Sequence, residues 1–304
     1  MSEVEIPPEA PVIANEPIEV ASGVHVIPDG RVPLVPNIGI VVGSRASLVI
    51  DTGMGPRNGA TVRAHADRLA AGRPLFLTLT HFHPEHGYGA QAFADRAVTF
   101  YNRTQLEELR QKGAGYLELF KTFGDTVAAE LEGVELVEPD IVYDGAADPD
   151  LGGRRAELRP WGQAHTLGDQ TVFLPEQRVL FAGDLVEERC FAIFPWFPPD
   201  DVDVDGHRWI EVLRELERLE PDVVVPGHGE VGGVEVIATA REYIEQLRDE
   251  TERLAGAGRS EDEVAAELDR SFRELHPDWA QPEWIDFGAR CFYAAFAGEA
   301  SGRS

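Results

Sequence analysis

Between positions 75 and 89 the chain reads Leu-Phe-Leu-Thr-Leu-Thr-His-Phe-His-Pro-Glu-His-Gly-Tyr-Gly, an apolar run that ends in three histidines and a carboxylate. Those are the side chains a transition metal takes as ligands. His81 and His83 are two apart, so an extended backbone points both imidazoles to one side, as two ligands of one ion require. Pro84 keeps His83 extended and can itself open a helix, which places Glu85 and His86 in a first helical turn. Four candidate ligands thus converge on one strand-to-helix corner, and the corner reads as a metal site.

The ends of other apolar runs offer Asp51, His165, Asp184 and His228, so that five of the nine histidines fall at such ends. His25, His65, His207 and His276 have no ligand spacing and read as surface or packing residues. Imidazoles mixed with carboxylates suit zinc, and iron or manganese accept the same donors. A bound cation brings the pKa of water from about 15.7 to about 7, which gives a hydroxide nucleophile at neutral pH. Two ions about 3.5 to 4 Å apart can hold that hydroxide and polarise the carbonyl it attacks. The plainest reaction is hydrolysis of a small, partly apolar ester, lactone, thioester or amide.

These residues need elements to position them. Short β-type runs appear at Val24–Ile27, Ile38–Val42 and Ser47–Ile50, the last ending in Asp51-Thr52-Gly53. A helix is predicted over residues 58–71, with Gly72 as its stop, and it leads into a strand over residues 75–80 whose lack of polar alternation fits burial on both faces. A second unit repeats the pattern: a strand over 178–182 reaching Gly183-Asp184, an apolar helical stripe from Trp209 to Leu219, and a strand over 222–225 reaching Gly227-His228. In mixed α/β sheets, strand ends are where ligands bind. Between the halves, residues 104–112 and 116–131 read as two helices, an insertion or lid. Helical text over 236–255, 261–275 and 283–296 forms a C-terminal extension, 236–297, on the same domain (17–235), while residues 1–16 read as a flexible arm. The segment Phe191 to Phe197 suits either a pocket wall or packing, the latter against the body or a second subunit.

Composition narrows the partners. With 54 acidic and 27 basic residues the formal charge is -27, which repels a phosphate backbone and disfavours nucleic-acid substrates. No apolar stretch approaches about 20 residues, so no membrane span is expected. The acidic, proline-rich start does not look like a secretory signal, and Cys190 and Cys291 form no CxxC pair, which together point to the cytoplasm. A small-molecule substrate is the expected partner, with a homodimer also admitted. A dinucleotide fingerprint at residues 53–58 fails on Pro56 and Asn58, and no GxSxG elbow occurs.

The ordered set of motifs resembles the metallo-β-lactamase fold superfamily. The family's HxHxDH motif appears as His81-Phe82-His83-Pro84-Glu85-His86, its third histidine as Ala164-His165-Thr166-Leu167-Gly168-Asp169, its bridging aspartate as Phe181-Ala182-Gly183-Asp184 and its last histidine as Pro226-Gly227-His228-Gly229. Asp51-Thr52-Gly53 matches its early aspartate. The resemblance implies an α/β fold, an αββα sandwich of two similar halves with metals at one edge of the sheets. It implies His81, His83 and His165 as a first metal site, Glu85, His86 and His228 as a second, Asp184 as the bridge and Asp51 as an acceptor behind the ligands. Asp184 and Glu85 are then the catalytic carboxylates. Glu85 departs from the family's aspartate; its extra methylene leaves it either a ligand on a displaced helix start or a proton acceptor that misses the second ion. The implied enzyme is a zinc-dependent hydrolase with one or two ions per chain; the alternative is a mononuclear iron oxidoreductase of the sulfur-dioxygenase kind.

Overall fold

The structure is a computed structural model, and it describes residues 10–302. Four antiparallel strands open the first half: β1 (Ile18–Ala21), β2 (Val24–Ile27), β3 (Ile38–Val42) and β4 (Ser47–Ile50). Helix α1 (Gly55–Ala70) crosses back, and β5 (Leu75–Thr78), β6 (Ala97–Asn102) and β7 (Ile141–Tyr143) then add in parallel to complete a seven-stranded sheet in sequence order. A short helix α2 (Pro84–Gly87) and a 3-10 turn (Ala90–Phe93) join β5 to β6, and α3 (Arg103–Lys121) and α4 (Asp125–Glu130) join β6 to β7. The second sheet holds β8 (Glu157–Pro160), β9 (Gln170–Leu174), β10 (Val179–Gly183) and β11 (Val223–Pro226) in the order β11-β10-β9-β8. Helix α5 (Gly206–Glu217) makes the crossover between the parallel pair β10 and β11, and α6 (Val234–Gly256), α7 (Glu261–Leu275) and α8 (Trp284–Gly302) close the chain.

Side-chain alternation along the strands sorts the molecule into four layers. Val24, Val26, Leu48 and Ile50 of the first sheet meet Val172, Val179, Phe181 and Val225 of the second in a core between the sheets. The opposite face of the first sheet, Ile40 and Val49, packs on Val62, Ala66 and Ala70 of α1. Leu180 and Val224 on the outer face of the second sheet meet Trp209 and Leu213 of α5, Ile237 and Ile244 of α6 and Phe292 of α8. The α/β/β/α order explains why the strands read as continuous apolar runs, since both faces are covered. Among the described residues no helix is long and apolar enough to cross a membrane. Both cysteines are buried and free.

Four expectations are corrected. Residues 10–16 are not a loose arm: Ile13 is 3% exposed, its N–H donates to Asn58 Oδ1 at 2.8 Å, and Asn58 Nδ2 donates to the Pro11 carbonyl at 2.7 Å. Residues 1–9 lie outside the described part. Helix α1 begins at Gly55 rather than 58, because Pro56 is pre-set for a first helical turn. The helix expected to break near residue 113 runs unbroken as α3, and the break falls at Gly124, whose φ of 136° suits only glycine. Gly113 instead marks close packing, with its carbonyl accepting the Tyr88 hydroxyl at 2.7 Å. Strand β5 stops at Thr78, not 80, because the next residues leave the ladder for side-chain partners: the Leu79 carbonyl accepts from Gln105 Nε2 and the Thr80 N–H donates to Asp51.

Candidate metal centre

The chain leaves β5 at Thr78 and β10 at Gly183 side by side. A Cβ on Gly183 would lie 2.6 Å from the Thr80 Cβ, so its lack of one lets the two strand ends touch. His81 and His83 come from the loop after β5, Glu85 and His86 from α2, His165 from the loop between β8 and β9, Asp184 from the residue after β10, and His228 from the turn after β11. All seven are buried.

They sort into two groups. His81, His83 and His165 form one; Glu85, His86, Asp184 and His228 form the other, and within each group the ligand atoms lie within 4.8 Å of one another. In the first, His81 Nε2 and His165 Nε2 each lie 3.1 Å from His83 Nδ1. Asp184 faces both groups, with Oδ2 3.8 Å from the Nε2 atoms of His81 and His165, and Oδ1 3.1 Å from His86 Nε2 and 3.8 Å from His228 Nε2. Glu85, despite its longer side chain, stands within the second group.

The polar atoms fit a cation. Glu85 Oε2, His86 Nε2, Asp184 Oδ1 and Oδ2, and His228 Nε2 are buried without a hydrogen-bond partner. Each such atom left unpaired costs about 1 to 3 kcal/mol. A cation would satisfy them together. The 3.1 Å spacing of the first three ring nitrogens is close to the edge of a tetrahedron with bonds of about 2.0 to 2.1 Å, roughly 3.3 Å.

Protonation states in the first group agree with that fit. Burial, reinforced by neighbouring histidines, holds His81 and His83 well below the ordinary imidazole range, and burial lowers His165 to about 4. Three neutral imidazoles are a ligand set that needs no proton removed. Burial opposes a charge on His86, but Asp184 and Asp51 outweigh it and raise its pKa; burial likewise opposes ionisation of Asp184, and His86 and His228 overcome it. Burial pushes Glu85 up to about 7.

The atoms behind the ligands fix their orientation. Asp51 accepts from the Thr80 N–H at 2.7 Å and the Thr80 hydroxyl at 2.9 Å and faces His86 Nδ1 at 2.9 Å, as expected of an acceptor behind the ligands. It does so at a φ of 66°, an unfavourable backbone for a residue with a Cβ. His165 Nδ1 meets the Ile193 carbonyl at 2.9 Å, and His228 Nδ1 the Val35 carbonyl at 3.1 Å. Gly227 has no room for a side chain, since a Cβ would lie 1.9 Å from Asp184 Oδ1. Phe191 and Phe194 settle as packing against Tyr243, Trp209 and Phe292, with the backbone of their segment turned to the site. Tyr88 packs on α3, and Tyr116 of α3 stacks on His83 with ring centres 5.0 Å apart, so part of the 104–131 segment walls the site. His25, His65, His207 and His276 lie outside both groups.

Sequence reasoning missed the supporting residues. Glu108 of α3 accepts from the N–H groups of Leu167 and Gly168, bracing the His165 loop. Asn37 donates to the Pro226 and Gly229 carbonyls, bracing the His228 turn. Glu187, 5% exposed, accepts from the Ile193 N–H. None lies in a motif; the one signal for Glu187 was an acid three residues beyond Asp184, and Glu188 and Arg189 beside it mask that signal.

Comparison with known proteins agrees with this architecture. A bovine (Bos taurus) acyl-coenzyme A thioesterase MBLAC2 is 26% identical over 224 residues, 68% of this chain and 78% of that protein. Among solved structures, the sec-alkylsulfatase Pisa1 from Pseudomonas sp. superposes with a TM-score of 0.73 at 17% identity, covering 93% of this chain, which spans only 50% of that one. A metallo-β-lactamase from Pontibacter korlensis gives a TM-score of 0.58 at 18% identity over 76% of this chain and 99% of its own. The family model for the metallo-β-lactamase superfamily matches residues 31–228, well over half of the chain and all seven clustered residues, and the protein belongs to that superfamily.

Proposed function

We propose that the protein is a metal-dependent hydrolase of small, partly apolar acyl compounds, with zinc as the resident metal. His81, His83 and His165 would hold one cation; Glu85, His86 and His228 would hold a second, with Asp184 shared. The observation that carries this reading is Asp184, whose two carboxylate oxygens each face one histidine group. When bound, such cations supply an acidified water as nucleophile and polarise the carbonyl under attack. The chain's own groups do the rest. Asp51 and the carbonyls of Ile193 and Val35 hold the Nδ1 protons of His86, His165 and His228, which leaves each Nε2 lone pair facing the centre. Without a cation, burial pushes Glu85 up to about 7, so holding the second cation near neutrality would release a proton from it. Phe82 and Tyr116 stack beside His83 and give the site an apolar wall.

Among acyl classes the thioester comes first, because a relative matched over most of both chains is an acyl-coenzyme A thioesterase. A sulfate ester is the second reading, favoured by the 93% of this chain that superposes on a sec-alkylsulfatase. The test is metal analysis of protein purified without added metal, followed by a metal-supplemented screen of thioesters, lactones, esters, amides and alkyl sulfates. One to two zinc ions per chain with turnover of an acyl compound is the expected result. A single iron with oxygen uptake would replace hydrolysis by the oxidoreductase reading.

A further inference from the structure

We infer that Glu187 is a positioning residue of the metal centre, setting the ring of His165 through the backbone of Ile193. Glu187 Oε2 accepts the Ile193 N–H at 3.0 Å, and the Ile193 carbonyl meets His165 Nδ1 at 2.9 Å. With Nδ1 held as the donor, His165 Nε2 presents its lone pair beside His83 Nδ1, 3.1 Å away. The segment carrying Ile193 runs through the apolar cluster under α5, α6 and α8, with Phe191, Phe194 and Trp209, none of whose side chains offers an acceptor to a backbone N–H. Glu187 is itself buried and follows Asp184 by three residues, in a turn closed by the Val186 N–H on the Gly183 carbonyl. One carboxyl group thereby ties the turn that presents Asp184 to the segment whose carbonyl holds the His165 ring, and Asp184 Oδ2 and His165 Nε2 stand 3.8 Å apart. A buried acid is an expensive way to satisfy one N–H, and its place between the Asp184 turn and the carbonyl that holds His165 accounts for its presence.

The inference rests on the metal reading of the site, and the experiment separates the two. Metal-stripped wild type, Glu187→Gln and Glu187→Ala are titrated with cobalt(II), reading the visible absorption band and the affinity of each step. Glutamine keeps an oxygen at the same reach, so E187Q is expected within about twofold of wild type with an unchanged band. E187A is expected to weaken one step by roughly tenfold or more and to shift the band, leaving the other step alone. Should E187A not fold, by circular dichroism, Glu187→Asp, one methylene short of Ile193, is read in its place. An unchanged truncation variant, an E187Q as weak as the truncation, or equal losses at both steps each overturns the assignment. Wild type that takes up no cobalt overturns the metal reading and this inference together, whereas wild-type uptake with indifferent variants overturns this inference alone.

Discussion

Glu85 shows how one methylene is absorbed at the residue scale. It sits in the first turn of α2, 4% exposed, with Oε2 unpartnered beside His86, Asp184 and His228. Replacing it with alanine should lower the metal content by about one ion per chain while the fold survives; unchanged stoichiometry together with unchanged turnover counts against its role. Its protonation also has a sign. In the unfolded chain the carboxyl ionises near 4.5, in the fold near 7, so the folded state holds the proton more tightly. Its contribution to the stability of the metal-free protein is therefore full below pH about 4.5 and declines as pH rises to about 7, by on the order of 3 kcal/mol. Urea denaturation of metal-free Glu85→Gln at pH 5 and pH 8 should show a shallower decline than wild type; parallel curves would remove Glu85 as the source.

Elements meet at the site where strands end, and two contacts decide how tightly. The turn after β11 passes Asp184 at Gly227, where a Cβ would stand 1.9 Å from Oδ1. Gly227→Ala should displace the shared carboxylate and lower metal affinity roughly 10-fold or more, read by competition with a chromophoric chelator, with the far-ultraviolet circular dichroism unchanged. Helix α3 is held over the site by Lys112, which reaches Asp201 at 3.0 Å and Asp203 at 2.7 Å, and on its own helix Glu108 at 3.3 Å. Asp201 also accepts the hydroxyl of Tyr116, the ring stacked on His83. Lys112→Met would leave buried Glu108 and Asp201 without their cation, at a cost of about 3 kcal/mol. A urea midpoint within error of wild type would show that the helix is held by packing alone.

For the whole molecule, the centre is a joint between two halves, since residues from both sheets meet there. A cation bound by the folded centre and not by the unfolded chain stabilises by mass action, about 2.7 kcal/mol at 100 times its dissociation constant. Chelation should therefore lower the melting temperature by several degrees and abolish turnover, and zinc should restore both. A melting temperature indifferent to chelator would dissociate the ion from the joint. The charge of -27 adds a further expectation: an anionic thioester should bind better as salt rises, because screening weakens the repulsion, and a KM independent of ionic strength would place the substrate path away from the acidic surface.

The sequence by itself determined the candidate ligand types, the order of their motifs and the two strand-helix-strand units, because apolar runs ending in histidine or aspartate are local patterns; the layered α/β architecture followed from the family those motifs resemble. It also determined that Pro84 opens a helix, since proline fixes its own φ. What only the tertiary structure decided is everything that depends on contact between distant segments. Helix α3 runs through Gly113 and Gly115 because the packing around it outweighs the propensity of glycine to break a helix. Residues 10–16 are docked because Asn58 accepts and donates to their backbone, and Phe191 and Phe194 are core because α5, α6 and α8 close over them. The link from Glu187 through Ile193 to His165 spans segments that no local period connects. Its physical reason is that a buried N–H must find an acceptor wherever the fold brings one, and the chain order does not say where that will be.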